Sequence, residues 1–328
     1  MPANLPPQYF EAEQRYREAR TPEEKIEALE EMLAIMPKHK GTDKLRAELR
    51  RRLSKHREQG SEKKGPGKAK TAFTIDREGA AQVVITGPPN TGKSSLIAMM
   101  TNAAPEVADF PHTTHKPTPG MAPFENIQFQ LVDTPPITRD YIDPLLADLI
   151  RRADIVALLI DLHDDPLQQY QETLDILASL RIFPEGLPVP ENLIKAPFVK
   201  KTILLVNKVD EARDDEDFET FLELAETKFP VLGISVRKGR NLSAFLERLY
   251  DMSGINRVYT KSPGKDPDMT APFVIPRGTT LQGLAEKIHK DFLSRLKYAK
   301  VWGKSVHSGQ MVQRDYILQD GDVVEIHL

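Results

Sequence analysis

The chain has 328 residues, of which 40% are hydrophobic and 28% charged, and its formal net charge is −3. This length indicates two or three domains, the composition is that of a globular protein, and the charge excludes a globally basic nucleic-acid-binding protein. There is no cysteine, which excludes disulfides and thiolate chemistry, and no apolar stretch of the ~18–20 residues that a membrane span requires. Since no secretory signal is visible, we expect a cytoplasmic protein without membrane contact.

Residues 1–57 are predicted to form a helical hairpin. Residues 21–24 read Thr-Pro-Glu-Glu, a capping box with proline at the first helical position. Two apolar stripes with helical spacing follow, one for each arm: Ile26, Leu29, Leu33 and Met36, then Leu45, Leu49 and Leu53. The second arm is basic and includes three arginines at 50–52. This arm is either a solvated helix face or a surface for the phosphate backbone of RNA, with ribosomal RNA the leading candidate.

Residues 58–72 are predicted to be a flexible linker rich in glycine and lysine. From 73 to 256, apolar strand candidates alternate with helical or loop stretches, which predicts an α/β domain with a mostly parallel sheet and helices on both faces. The strand candidates are residues 82–86, 127–132, 154–160, 202–206 and 231–236. In such a sheet the ligand binds beyond the carboxyl ends of the strands, and the polar motifs of this chain follow those ends.

The first motif, residues 87–94, lies between a strand candidate and an apolar helical segment. It reads Gly-Pro-Pro-Asn-Thr-Gly-Lys-Ser, the spacing of the phosphate-binding loop of a P-loop NTPase. Its glycines allow a tight turn that aims backbone N–H groups at phosphate oxygens. Lys93 is expected to reach the β- and γ-phosphates, and the Ser94 hydroxyl to ligate Mg²⁺. The predicted nucleotide contacts are Gly87, Pro88, Pro89, Asn90, Thr91, Gly92, Lys93, Ser94 and Ser95.

Two further motifs follow later strands. Asp133 ends an apolar strand, where a carboxylate associated with Mg²⁺ is expected. Asn207, Lys208 and Asp210 come after another buried strand, and Lys208 is expected to pack along a base. The Asp210 carboxylate can accept hydrogen bonds from the ring N1–H and the exocyclic amine of guanine. Adenine offers neither donor, so an ATPase is disfavoured.

Ser235 and Val236 follow the last strand candidate and are expected to complete the base site, with a backbone N–H near Val236 binding the guanine oxygen. Taken together, the motifs at 87–94, 133–136 and 207–210 resemble the G1, G3 and G4 elements of a GTPase. The resemblance implies GTP and GDP as ligands.

Residues 110–120, Phe-Pro-His-Thr-Thr-His-Lys-Pro-Thr-Pro-Gly, resemble switch I of the Obg-related GTPases. The resemblance implies that Thr114, with Thr113 as the alternative, joins the Mg²⁺ shell only when the γ-phosphate is present. The metal ligands that it implies are Ser94, Thr114 and Asp133, and the catalytic residues are Lys93, Thr114 and Asn90.

Residues 257–270 are predicted to be a linker, and residues 271–328 resemble the TGS domain, a small β-grasp module in which Trp302 is expected in the core. The similarity is closest to the developmentally regulated GTP-binding proteins. It implies a Mg²⁺-dependent GTPase that associates with the ribosome or its RNA through the basic hairpin and the TGS domain, with no indication of DNA binding.

Three positions bear on the switch and on turnover, and the first departs from the family pattern. Pro136 replaces a glycine whose N–H would bind the γ-phosphate, and proline has no N–H. Ile137 occupies the place where many GTPases carry a water-orienting glutamine, so slow turnover is expected. Asn90 either helps to hold a K⁺ ion, as in the potassium-activated GTPases that it resembles, or only hydrogen-bonds within its loop. Residues 136 and 137 keep a second function open, a nucleotide-binding scaffold without useful turnover that acts through the TGS domain.

Two acidic stretches are interpreted as solvated. Residues 161–165 could suggest a metal site together with His112 and His115, but they follow a strand end in a loop, and residues 214–217 start a helix. The stretch between Asp133 and Asn207 leaves little room for the additional small domain that the developmentally regulated GTP-binding proteins carry within the G domain. A reduced relative is therefore expected.

Overall fold

The computed structural model describes residues 75–101, 117–139, 142–289, 292 and 295–327, together with residues 9, 12, 14–16, 25, 28, 29, 31, 32 and 49. By its internal contacts the chain divides into two compact units, residues 1–71 and 72–328.

In the first unit all the described residues are helical. A buried apolar cluster contains residues from both predicted stripes, and its members are Tyr9, Ala12, Leu29, Met32 and Leu49. Leu29 and Leu49 therefore share one core, as a helical hairpin requires. The other stripe residues, the arginines at 50–52 and the predicted linker lie outside the described residues.

In the second unit, seven of the described strands form one sheet. They are β1 Gln82–Thr86, β2 Thr118–Phe124, β3 Ile127–Asp133, β4 Ile155–Asp161, β5 Ile182–Pro184, β6 Phe198–Asn207 and β7 Val231–Gly233. Their order is β2-β3-β1-β4-β6-β5, and β7 also pairs with β6. The pair β2–β3 is antiparallel and the other pairs are parallel, which confirms the predicted mostly parallel sheet.

Helices cover both faces of this sheet. They are α1 Lys93–Met100, α2 Pro144–Arg152, α3 Pro166–Ser179, α4 Ala212–Ala225 and α5 Leu242–Ser253. Successive residues of a strand point to opposite faces, so the apolar run of β1 serves two cores. Val84 packs with residues of α2, α3 and α4, whereas Val83 and Ile85 pack with residues of α1 and α5. Because β1, β3, β4 and β6 run parallel to one another, their carboxyl ends meet along the same edge of the sheet.

Two of these helices begin with an aspartate cap followed by proline. The Asp143 side chain accepts a hydrogen bond from Leu145 N at 2.8 Å, and that of Asp165 accepts one from Gln168 N at 3.1 Å. Such caps satisfy N–H groups that have no partner within the helix. Asp165, interpreted from the sequence as part of a solvated loop, therefore fixes the start of α3.

The remaining described strands form a second sheet with one helix packed on it. The strands are β8 Ile255–Thr260, β9 Phe273–Pro276, β10 Tyr298–Trp302, β11 Gln310–Val312 and β12 Val323–His327, and the helix is α6 Leu281–Ile288. The order is β11-β10-β12-β8-β9. Val258, Ile275, Leu284 and Val324 lie in its core. This is the β-grasp arrangement expected of a TGS domain.

Two features of this domain differ from the predictions. Residues 257–260, which were assigned to a linker, belong to β8, because the fully buried Val258 is part of the domain core. Trp302 is only partly buried and lies on the opposite face of β10 from Val301, since side chains alternate along a strand. The Lys261 ammonium lies 4.3 Å from the centre of the Trp302 ring.

The TGS domain packs on the G domain through Arg257 of β8. Its guanidinium donates to Asp320 (Nη2–Oδ2 2.9 Å), pairs with Glu125 in the β2–β3 turn, and lies 4.7 Å from the centre of the Tyr250 ring of α5. Burial and a hydrogen bond to Asp320 raise the pKa of Tyr250 to about 12. In the part of the chain that the structure describes, no helix is long and apolar enough to cross a bilayer.

Candidate nucleotide-binding site

The loop between β1 and α1 has the backbone of a phosphate-binding turn. Gly87, Asn90 and Gly92 have φ angles of 152°, 63° and 96°. A Cβ atom at Gly87 would lie 2.2 Å from Leu159 O, and one at Gly92 would lie 2.6 Å from Asn207 Nδ2. Both positions therefore require glycine for conformation and for close approach.

Lys93 is buried at the start of α1, and its ammonium is held against this loop. Its Nζ donates to Gly87 O at 3.1 Å and to Pro88 O at 2.5 Å. Burial lowers the pKa of Lys93 to about 8, and the negative charge of Asp133 partly opposes that shift. The cation therefore lies beside the turn that would hold the phosphates.

Ser94 and Asp133 meet at the carboxyl ends of the strands, as the predicted Mg²⁺ site requires. Ser94 Oγ donates to Asp133 Oδ2 at 2.6 Å. Asp133 Oδ1 is buried and has no hydrogen-bond partner among the described residues. A hydroxyl and a carboxylate are the hard oxygen ligands that Mg²⁺ prefers, so these residues fit the metal. Thr113 and Thr114 of the predicted switch I lie outside the described residues.

Asn207, at the end of β6, joins three loops through one buried amide. Its Nδ2 donates to Thr91 O at 2.9 Å, and its Oδ1 accepts from Val236 N at 3.1 Å. The Val236 N–H, predicted to face a guanine oxygen, is thus bonded to Asn207 here. A guanine oxygen would have to share or replace that bond.

The Asp210 carboxylate is held by the loop after β7. Ser235 Oγ donates to Asp210 Oδ1 at 2.5 Å, and Arg237 Nε lies 3.5 Å from Oδ2. Lys238 donates its ammonium to the Asp210 carbonyl at 2.8 Å. Ser235 and Arg237, in a segment that carried only a weak signal in the sequence, therefore contact the predicted guanine-binding carboxylate directly.

Two acidic residues interpreted as solvated are in fact buried around these loops, so that interpretation was wrong for them. Asp161 is 6% exposed and pairs with the Lys208 ammonium. Asp214 is 1% exposed and accepts hydrogen bonds from the N–H groups of Asp210 and Glu211. The Glu211 hydrogen bond, helped by His163 and opposed by burial, holds the pKa of Asp214 below its usual range. The sequence does contain a signal for the burial of Asp214, because the Glu-x-x-Asp spacing at 211–214 allows a capping box.

The segment after Asp133 offers few donors to a phosphate. Pro135 and Pro136 have no N–H, and the N–H of Ile137 donates to Gly87 O at 3.2 Å. The Ile137 side chain is 2% exposed and packs in the apolar core. The Ile137 side chain therefore points away from the phosphate-binding loop and cannot contact a water molecule beside that loop.

Comparisons with known proteins find similar domains, sequences and structures. The family model described as 50S ribosome-binding GTPase matches residues 82–188, and the TGS domain model matches residues 256–328. A GTP-binding protein of Methanocaldococcus jannaschii is 29% identical over 93% of this chain and 92% of its own length. Developmentally-regulated GTP-binding protein 1 of Xenopus laevis is 25% identical over 92% of this chain and 98% of its own length. A crystal structure of a GTP-binding protein from Pyrococcus horikoshii covers 75% of this chain and 99% of that one, with 16% identity and a TM-score of 0.49.

The chain therefore has a G domain of the P-loop NTPase fold followed by a TGS domain. Its homologues are the developmentally regulated GTP-binding proteins. The alignment with the Methanocaldococcus protein spans 363 positions, more than the 328 residues of this chain. The relative thus has segments that this chain lacks.

Proposed function

We propose that this chain is a Mg²⁺-dependent GTPase of low intrinsic turnover that acts in the cytoplasm on the ribosome or on structured RNA. The observation that carries the nucleotide part is the Asn207 amide, which bonds Thr91 of the phosphate loop on one side and Val236 on the other. One buried side chain thereby fixes the spacing between the phosphate loop and the two base loops. These loops are thus held beside one another, as the binding of one nucleotide by all three requires.

The proposed base contact is the Asp210 carboxylate, with Lys208 beside the ring. A carboxylate can accept from both guanine donors at once, and charge-assisted hydrogen bonds of this kind are stronger than neutral ones. The bond from Ser235 Oγ at 2.5 Å orients the carboxylate before the base binds. Guanine selectivity is the expected consequence.

The proposed metal ligands are Ser94 and Asp133, with Thr114 added from switch I. Mg²⁺, when bound with the nucleotide, neutralises charge on the β- and γ-phosphates. The buried, unpartnered Oδ1 of Asp133 supports a cation at this place, since such an oxygen otherwise loses its hydration without compensation. Lys93 would supply a second positive charge to the phosphates.

Low intrinsic turnover is inferred from Ile137, and assistance by K⁺ from Asn90. The Ile137 side chain is in the core, so it orients no water for attack on the γ-phosphate. Asn90 is exposed, and among the described residues none hydrogen-bonds its side chain. This leaves the Asn90 side chain accessible to a ligand, and its proposed role toward a K⁺ ion beside the phosphates rests on the resemblance to potassium-activated GTPases.

GTP turnover by the purified protein in K⁺ and in Na⁺ buffer, with Lys93→Ala as the blank, tests this part. We expect turnover that is higher in K⁺, that requires Mg²⁺ and that disappears in the Lys93 variant. GTP that binds without turnover in either buffer would instead favour the second candidate function, a nucleotide-binding scaffold, for which Pro136 and Ile137 are the supporting features.

The RNA part of the proposal is supported by the 50S ribosome-binding description of the matching family model, by the TGS match and by the basic second arm of the hairpin. Co-sedimentation with ribosomal subunits tests it. Charge reversal of Arg50, Arg51 and Arg52 should reduce binding and its salt dependence. The matched control reverses three exposed basic residues of the G domain, Lys195, Lys228 and Arg248. Binding that is the same in both variants would remove the hairpin from the proposal.

A further inference from the structure

Asp214 lies outside the residues proposed to touch the nucleotide, yet it joins the loops on the base side. Its carboxylate is buried, with 1% of the residue exposed. Oδ2 accepts from Asp210 N at 2.9 Å and from Glu211 N at 2.8 Å. Oδ1 lies 3.1 Å from His163 Nε2. Burying a carboxylate costs free energy that only such bonds offset.

Helix capping accounts for only part of this arrangement. In a capping box the third helical residue accepts from the N–H of the cap residue, here Glu211. The bond from Asp210 N and the contact with His163 are additional. His163 comes from the loop after β4, where its own N–H donates to Asp161 Oδ1 at 3.0 Å and Asp161 pairs with Lys208. Asp214 thus connects the β4 loop to the Asn-Lys-x-Asp loop.

We propose that Asp214 is a positioning residue for guanine selectivity. By fixing the main chain at Asp210, it holds the Asp210 carboxylate where both guanine donors reach it. Ser235 holds the same carboxylate at its tip, so Asp210 is fixed at both ends. The inference rests on the proposed contact between Asp210 and guanine.

The test compares GDP with IDP, each measured by its displacement of a fluorescent GDP analogue. Hypoxanthine keeps the N1–H but lacks the exocyclic amine, so IDP makes one hydrogen bond to Asp210 where GDP makes two. The unmodified protein should prefer GDP by roughly tenfold or more, the effect of one charge-assisted hydrogen bond. If Asp214→Ala weakens each bond about threefold, GDP affinity falls about tenfold and IDP affinity about threefold. The preference for GDP should therefore narrow about threefold.

Two variants serve as controls. Asp217→Ala removes the same charge from the same helix at an exposed position and should leave both affinities unchanged. Asp214→Asn keeps an oxygen that can accept from both N–H groups and should retain most of the preference for GDP.

Equal losses for GDP and IDP, or an unchanged preference in Asp214→Ala, would overturn the proposal, because a purely structural residue affects both nucleotides alike. If Asp214→Ala does not fold, His163→Ala replaces it. The His163 side chain is 44% exposed, and its loss should narrow the preference about twofold. An unchanged preference in that variant would count against the proposal. An unmodified protein that does not distinguish GDP from IDP would instead refute the role of Asp210.

Discussion

The two sides of the nucleotide site are built in opposite ways. On the base side, Asn207, Asp210 and Ser235 are linked by hydrogen bonds to one another's loops. On the other side, the segment from Pro135 to Ile137 has two residues without an N–H and a third whose N–H is bonded to the phosphate loop. The residues proposed to bind guanine are thus preorganised, whereas this segment is not arranged to detect the γ-phosphate.

This difference has an energetic consequence. A preorganised site loses little conformational entropy on binding, so its hydrogen bonds contribute more fully to affinity. The segment at 135–137 would have to break the Ile137–Gly87 bond before its one N–H could reach a phosphate. We therefore expect tight binding of GDP and GTP with little difference between them, unless switch I supplies the discrimination.

The largest expected effect is that of Asp210→Asn on the base side. The variant has one neutral acceptor oxygen in place of two charged ones, so one hydrogen bond to guanine is lost and the other loses its charge assistance, and GDP affinity should fall about 100-fold. An asparagine amide can donate to the C2 oxygen of xanthine, so XDP should bind better to the variant than to the unmodified protein. Competition binding with GDP and XDP measures both changes. A variant that prefers GDP over XDP as strongly as the unmodified protein does would refute the assignment of Asp210 to guanine binding.

The next effect concerns Lys93 and pH. Burial lowers its pKa to about 8, so above that pH the neutral form dominates in the free protein. Phosphate oxygens favour the charged form, and nucleotide binding should therefore take up protons. At pH 8.5 calorimetry in two buffers should detect most of one proton per GDP, and above pH 8 the affinity should fall by up to about tenfold per pH unit.

Lys93→Met should abolish this proton uptake. The control is Lys200→Met, because burial also lowers the pKa of Lys200 but this lysine lies at the opposite end of β6. Proton uptake that disappears in the Lys200 variant, or that persists in the Lys93 variant, would contradict the assignment of the proton to Lys93.

A smaller effect is expected from Pro136→Gly, which returns an N–H to the phosphate side. One new hydrogen bond to the γ-phosphate should raise the preference for a non-hydrolysable GTP analogue over GDP about fivefold. The added chain entropy should lower the free energy of unfolding by up to about 1 kcal/mol. Pro135→Gly is the matched control and should have the same stability effect without the change in preference. If the preference for the GTP analogue over GDP is the same in both variants, the missing N–H at Pro136 is not what prevents this segment from detecting the γ-phosphate.

The parts of the site that were predicted best from the sequence are those that depend on the spacing of neighbouring residues. The turn at 87–94, the carboxylate at Asp133 and the Asn207–Asp210 motif each require only a few consecutive residues after a buried strand. The structure brings them to one edge of the sheet, because the carboxyl ends of parallel strands meet there.

Residues that depend on distant chain segments were predicted less well. Asp214 resembles any acidic residue at a helix start, and its burial follows from the return of the β4 loop with His163. The Val236 N–H was predicted to face a guanine oxygen, but it donates to the Asn207 side chain, which lies 29 positions away in the sequence and is not revealed by local spacing. Trp302 was predicted in the TGS core, but the alternation of side chains along β10 directs it to the other face.

The central claim has two parts. The base side of the site is preorganised before nucleotide binds, and the segment after Asp133 does not change its hydrogen bonds when a γ-phosphate is present. Hydrogen exchange of residues 133–139 and 207–211, with GDP or with a non-hydrolysable GTP analogue and Mg²⁺, tests it most directly. We predict equal exchange at 133–139 in the two complexes, since the Ile137 N–H stays on Gly87 O, and increased protection at 207–211 with either nucleotide. Protection of 133–139 that appears only with the GTP analogue would contradict the claim.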